Sequence, residues 1–168
     1  LLDRLLGEDH VDHDGEFYHV EGAYSAVKPA TDDGIPIFFG GLSEGAVEVG
    51  AARADVYMLF GEPLASVAEH VHRIRAAAAA RGRSVEFSLS TRPIIGATEE
   101  EAWEKAQRIY DETDALLKSR TTGNTLAFAP SKRPEPVSVS ADLLQEHARD
   151  SDVHDERLWL GITRLTGP

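Results

Sequence analysis

Three short apolar runs, each followed by a stretch with helical periodicity, constrain this chain more than any other feature. The runs are Ile35-Pro36-Ile37-Phe38-Phe39, Ala54 to Phe60 and Val85 to Thr91. A continuous apolar run of this length suits a strand buried on both faces, as in a parallel sheet. After the first, Gly40-Gly41-Leu42 leads to Ser43, a capping residue for a helix over Glu44 to Arg53 with Ala46, Val47, Val49 and Gly50 on its inner side. After the second, Gly61-Glu62 turns into a helix with Pro63 at its first position, and Leu64, Val67, Val71, Ile74 and Ala78 recur at helical spacing until Gly82. After the third, Thr98 and Glu101 have the spacing of a capping box, ahead of a stripe of Ala102, Trp103, Ala106, Ile109, Tyr110 and Thr113. Strand and helix alternating three times imply parallel strands joined by right-handed crossovers. The fold class is therefore α/β, either open and doubly wound or part of a (β/α)8 barrel.

The flanks add less. Leu1 to Gly7 is apolar at helical spacing and ends in glycine, without an initiator Met or an N-cap ahead of it. Phe17 to Val20, preceded by Asp14-Gly15, reads as half of a hairpin. Leu158 to Gly167 is an apolar stretch with nothing after it to pack against, so the chain reads as a piece of a longer protein. Between these, Ser119 to Glu156 breaks the rhythm with Pro130, Pro134, Pro136, the pair Lys132-Arg133 and one short helical stretch around Ala141 to Ala148. An insertion of this length is either a functional lid or a disordered segment.

Composition narrows the function classes. With 168 residues, 42% hydrophobic and 27% charged, there is material for one buried core. The absence of cysteine excludes disulfides, thiolate metal sites and a cysteine nucleophile, and leaves a cytoplasmic home as the default expectation. A formal charge of -12 with no basic patch argues against nucleic acid, and no apolar run approaches the roughly 18 to 20 residues of a membrane span. Small molecules or proteins are the expected partners.

The glycine-serine junction is the best site candidate. Glycines let a backbone approach a ligand, while helix N–H groups and the Ser43 hydroxyl suit a phosphate; the alternative is a plain turn with a serine cap. Glu62 stands at the carboxyl end of the second strand, where such folds place ligand contacts, or is simply a first-turn acid favoured by the helix dipole. Arg92, near the end of the third strand, can bind a carboxylate, sulfonate or phosphate, or pair with a neighbouring acid. His10, Asp12, His13 and Asp14 have metal-ligand chemistry but no scaffold, so no metal is expected. His70 and His72 are two apart on one helix, point to different faces and read as surface residues.

Taken in order, Asp14-Gly15-x-Phe17-x-x-Val20-x-Gly22-Ala23, Ile35 to Gly41-x-Ser43-Glu44, Ala54-Asp55-Val56-Tyr57, Gly61-Glu62-Pro63 and Thr98-x-x-Glu101-Ala102-Trp103 resemble the bacterial luciferase-like flavin monooxygenases, nearest to the alkanesulfonate monooxygenase branch. The resemblance covers about residues 1 to 117 and resumes at Leu158 to Gly167. It implies a single partial (β/α)8 TIM-barrel domain over 1–168, with 119–156 as a lid inserted before the final strand. It also implies reduced FMN supplied by a separate flavin reductase, and O2 used to oxygenate a small substrate, a sulfonate among the candidates. By position Gly40, Gly41, Leu42 and Ser43 hold the FMN phosphate, Phe60 and Glu62 line the substrate site, and Arg92 is the catalytic and anion-binding candidate. The branch's Arg-x-His pair falls on Ser90 and Arg92, and its lid arginine on Thr166, which loosens the link to sulfonates. The alternatives are a deazaflavin-dependent oxidoreductase and a non-catalytic half-barrel that binds phosphate-bearing ligands. An unpaired strand edge and an exposed apolar rim favour self-association, so a homo-oligomer is expected.

Overall fold

A computed structural model describes residues 1–31, 34–122 and 138–166. Two compact units emerge, residues 1–37 and 38–168.

The first unit opens with α1 (Leu2–Gly7) and a hairpin of β1 (Val11–Asp14) and β2 (His19–Ala23). The strands are antiparallel, with His13 opposite Val20 and Asp14 opposite His19. The expected hairpin is present, but Phe17 and Tyr18 belong to its turn rather than its strand, because the Gly15 N–H closes on the Tyr18 carbonyl at 3.0 Å. Gly7 is the last helical residue and the extended Glu8 follows it, so glycine does not form the helix stop. Lys28 does that work instead, donating to the carbonyls of Leu5 and Glu8 at the end of the helix.

The second unit carries β3 (Phe38–Gly40), α2 (Glu44–Arg53), β4 (Val56–Phe60), α3 (Leu64–Ala79), β5 (Glu86–Ser90) and α4 (Glu99–Thr122). The three strands form a parallel sheet in the order β3-β4-β5, with Phe39, Tyr57 and Phe87 in register. β3 begins later than expected: Pro36 has no N–H to give to a ladder, and pairing starts at Phe38 opposite Val56. Strand alternation sends Phe39, Tyr57, Leu59 and Phe87 to one face, where they meet Val47 of α2 and Val67, Val71 and Ile74 of α3. Both helices thus cover the same face, with the strands in simple succession, which is the local plan of a (β/α)8 barrel. On the other face Phe38, Met58 and Phe60 stay 55%, 43% and 42% exposed. The expectation of strands buried on both faces therefore holds for one face only among the described residues.

Two helices sit rotated from their expected settings. In α2 the buried stripe is Val47, Gly50 and Ala51, while Val49 is exposed; in α3 Leu64 is exposed and His70 is buried. His70 lies three residues after Val67 and four before Ile74, so it shares their stripe. It is not the surface residue expected.

Of the Ser119 to Glu156 stretch, the described residues hold the end of α4, which runs on to Thr122, and α5 (Val139–Asp150), where a short helix around Ala141 to Ala148 is expected. β6 (Val153–His154), β7 (Leu158–Trp159) and α6 (Gly161–Thr166) follow. Pro130, Lys132, Arg133, Pro134 and Pro136 lie outside the described residues. α5 is capped by Ser138, whose hydroxyl accepts from the Ala141 N–H at 3.3 Å. Its Val139 and Leu143 pack on the sheet-helix core, while Leu144, Ala148 and Leu160 form a second small cluster. No helix among the described residues is long and apolar enough to cross a membrane.

Gly50 sets the distance between α2 and the sheet. A Cβ there would stand 2.3 Å from Tyr57 Cε2 and 2.9 Å from Phe39 Cδ1. Gly50→Ala is therefore expected to destabilise the fold by about 1–3 kcal/mol, read as a lower urea midpoint at unchanged slope.

Candidate functional site

The carboxyl ends of β3, β4 and β5 lie along one edge of the sheet, and the sequence candidates fall there. After β3 the chain turns through Gly41, whose φ of +137° favours glycine and whose Cβ would approach Ala46 Cβ to 3.0 Å. Two side chains fix this turn: the buried Tyr57 donates its hydroxyl to the Gly41 carbonyl at 2.6 Å, and Arg73 Nη2 donates to the Leu42 carbonyl at 2.9 Å. Burial pushes the Tyr57 phenol above its ordinary range, partly offset by the Arg73 charge, so it remains a donor at neutral pH. With these carbonyls tied back, the first-turn N–H groups of Ser43, Glu44 and Gly45 have no acceptor among the described residues. Ser43 Oγ caps α2 by accepting from the Ala46 N–H at 3.2 Å, and its own proton is left to give. The Leu42 side chain is buried in the core, so only its backbone faces this edge.

At the end of β4, Phe60 lies opposite Ser90 of β5 and points to the open face. The Gly61 N–H ties the two strand ends by donating to the Ser90 carbonyl at 3.0 Å. Arg92 is exposed just beyond, and no carboxylate among the described residues pairs with it. Glu62 takes a different direction. Its side chain is 1% exposed, with Oε2 3.2 Å from His70 Nε2 and 3.6 Å from His147 Nε2 of α5. Ser66 Oγ lies 3.2 Å from the same His147 nitrogen. Oε1 of Glu62 has no partner among the described residues. Serine and carboxylate thus meet one nitrogen of the imidazole rather than its two ends, which is not the geometry of a nucleophile-activating triad.

The turn joining β6 to β7 closes over the same edge. Pro63 precedes α3 in an extended conformation and offers no side-chain cap, so the Asp155 carboxylate caps the helix, accepting from the Leu64 N–H at 2.6 Å. Arg157 grips Glu99, at the start of α4, with Nη2 2.9 Å and Nε 3.3 Å from its two oxygens. Asp155 and Glu156 take φ values of +47° and +66°, a left-handed pair without glycine. At α4 itself Thr98 caps the Glu101 N–H at 3.2 Å, and Glu101 accepts from the Ala97 N–H at 2.7 Å. That capping box is shifted by one residue at its return bond. Lys105 and this N–H together hold the Glu101 carboxyl below its usual range.

The anion-ready turn, the single covered sheet face and the hairpin over the strand ends coincide with a match to the luciferase-like monooxygenase family that spans residues 1–167. The chain belongs to that family. Solved structures agree on the fold. A riboflavin lyase, solved with modified FMN and riboflavin, superposes at a TM-score of 0.58 and 23% identity, covering 92% of this chain and 35% of its own. Monooxygenase RslO1 from Streptomyces bottropensis gives 0.56 and 19%, covering 73% and 39%. The EDTA monooxygenase of Chelativorans sp. BNC1 gives 0.52 and 21%, covering 95% and 42%. The chain therefore spans well under half of each of these proteins. As part of a luciferase-like (β/α)8 barrel, its exposed Phe38, Met58 and Phe60 lie on the face that a closed barrel turns inward.

Gly40, Gly41, Leu42, Ser43, Phe60 and Arg92 lie along this edge as expected, while Glu62 leaves it for the α3–α5 contact. Sequence reasoning missed His70, His147, Ser66 and Asp155. The two histidines carried a signal, since each falls in its helix's apolar stripe; Asp155 carried none. Thr166, the position of the branch's lid arginine, lies in α6 with its hydroxyl bonded to the Ile162 carbonyl at 3.1 Å. In the first unit, Asp12 accepts from the Gly22 N–H at 2.6 Å, and His19 pairs with Asp14.

The strained turn is testable. Glu156→Gly is expected to raise stability by about 1 kcal/mol by relieving the left-handed residue, and Asp155→Ala to lower it by about 1–2 kcal/mol by uncapping α3, both read from urea unfolding.

Proposed function

We propose that this chain is part of an FMN-dependent monooxygenase that uses reduced flavin and O2 to oxygenate a small organic substrate. The observation that carries the reading is the turn at Gly40 to Ser43: its carbonyls are tied to Tyr57 and Arg73, leaving N–H groups and one hydroxyl for an anion. That donor set suits the terminal phosphate of FMN. The backbone of Gly41 to Gly45 and the Ser43 hydroxyl would hold the phosphate, with Tyr57 and Arg73 keeping the turn in shape. When bound, the reduced flavin supplies the electrons that activate O2. Phe60, on the inward face beside Ser90, would supply an apolar wall that excludes water. Arg92, exposed and unpaired among the described residues, would draw an anionic group of the substrate, a carboxylate or sulfonate, to the same edge. Ser90 and Arg92 stand where the sulfonate branch has Arg-x-His, so the substrate class is anionic in this proposal and not narrowed to sulfonates. Glu62 is buried against histidines and is better placed to hold structure than to touch substrate. α5 and the β6–β7 hairpin would act as the cover of the site. A separate flavin reductase, a homo-oligomeric assembly and a cytoplasmic location complete the proposal.

The test is an anaerobic titration with reduced FMN followed by admission of oxygen. Binding together with oxygen consumption supports the reading; binding of a deazaflavin alone, or of no flavin, overturns it. Ser43→Ala is expected to weaken FMN about fivefold, from loss of one hydrogen bond of about 1 kcal/mol. Arg92→Ala should leave FMN affinity unchanged and raise KM for anionic substrates.

A further inference from the structure

We propose that Glu62 and His147 form a protonation-sensitive pin that docks α5, and with it the β6–β7 hairpin, onto α3. The proposal is independent of the flavin reading. The Glu62 carboxylate is withdrawn from water at 1% exposure, and a buried charge persists only when donors surround it. Its hydrogen-bond donor is His70 Nε2 at 3.2 Å, from α3, while His147 Nε2 of α5 stands at 3.6 Å, within ion-pair distance but beyond hydrogen-bond reach. A carboxylate only accepts, so His70 Nε2 must carry hydrogen to bond it. Ser66 Oγ, one turn earlier than His70 on α3, adds a second link to His147 at 3.2 Å. His70, Glu62 and Ser66 all belong to the β4–α3 segment, whereas His147 belongs to α5. Breaking the His147 contacts therefore loosens α5, which Val139 and Leu143 still hold on the core, without dismantling α3.

The remaining titratable groups around the pin are His154 of β6 and Asp155 of the turn. His154 Nε2 faces the carbonyls of His147 and Ser151 at 3.0 and 3.1 Å, and its ring stands 5.9 Å from that of His147. Asp155 is engaged with the Leu64 N–H. No three of these side chains converge as metal ligands among the described residues. A neutral His147 ring is linked to α3 through Ser66 alone among these polar groups. A proton added to it creates an ion pair with the Glu62 carboxylate across the α3–α5 contact. Histidine is the side chain whose ordinary range spans pH 5 to 8, so docking should tighten as pH falls through that interval.

Amide hydrogen exchange, corrected for intrinsic rates, tests this at pH 6 and pH 8, with residues 64–79 of α3 as the internal standard for residues 139–150 of α5. The expected result is a rise of about fivefold in the relative protection of α5 from pH 8 to pH 6, the gain from an ion pair that the neutral ring lacks. Glu62→Gln and His147→Gln should each abolish that rise while α3 stays protected. His147 is 23% exposed, so His147→Gln carries the test if Glu62→Gln does not fold. His154→Asn should keep the rise. A wild-type ratio independent of pH, the same rise in both pin variants, or loss of the rise in His154→Asn would each overturn the proposal.

Discussion

The hydroxyl of Tyr57 is the point on which the rest of this structure turns. Its ring is fully buried between α2 and the sheet, edge-on to Phe39 and beside Phe87, and its oxygen reaches the Gly41 carbonyl. One side chain thus belongs both to the packing that holds helices on strands and to the polar turn where the candidate phosphate donors are exposed. Apolar burial gives the fold its adhesion but no direction. The hydrogen bond at the ring's end supplies direction, because it fixes which way the backbone dipoles of the turn face. Arg73, from a different helix, makes the neighbouring bond to Leu42, so the turn's shape depends on α2, β4 and α3 at once.

Much of the barrel's local plan was legible because it rests on short-range rules. Ser43, Thr98 and Glu101 announce helix starts through side chains that bond within four residues. The order of strands follows from crossovers of this length. The alternation of Tyr57 and Leu59 with Met58 and Phe60 is a property of the pleat. Legibility failed where one face of an element had no partner among the described residues. A strand open on one side and a strand closed on both have the same apolar run, so Phe38 to Gly40 looked fully enclosed. Pro36 was a readable warning about where the strand starts. Within Ser119 to Glu156 the helix around Ala141 to Ala148 was legible as well, because Leu144 and Ala148 repeat at helical spacing, although its packing partners were not.

For the candidate site, the split between legible and hidden residues has one cause. Gly40 to Ser43, Phe60 and Arg92 follow strand ends, and strand ends in α/β proteins mark a defined edge. Glu62 follows a strand end too, yet its side chain turns inward, where His70 hydrogen-bonds it and His147 lies within ion-pair distance. Burial against a residue 85 positions away leaves no local trace. The inward setting of both histidines was accessible to reasoning, since an imidazole on an apolar stripe, His70 between Val67 and Ile74 and His147 with Leu143 and Leu144, must be answered by a polar partner.

The cap of α3 also has a temporal side. Leu64 waits for a carboxylate 91 residues further along the chain. Translation proceeds at roughly 5–20 residues per second, so on a ribosome α3 would be made for about 5–18 s before Asp155 follows it. During that interval its first turn lacks this cap, and the helix depends on its apolar contacts, those with Tyr57 and Leu59 among them. Arrival of the hairpin then closes the starts of α3 and α4 together, through Asp155 and Arg157, so two helices made at different times are completed in one late event.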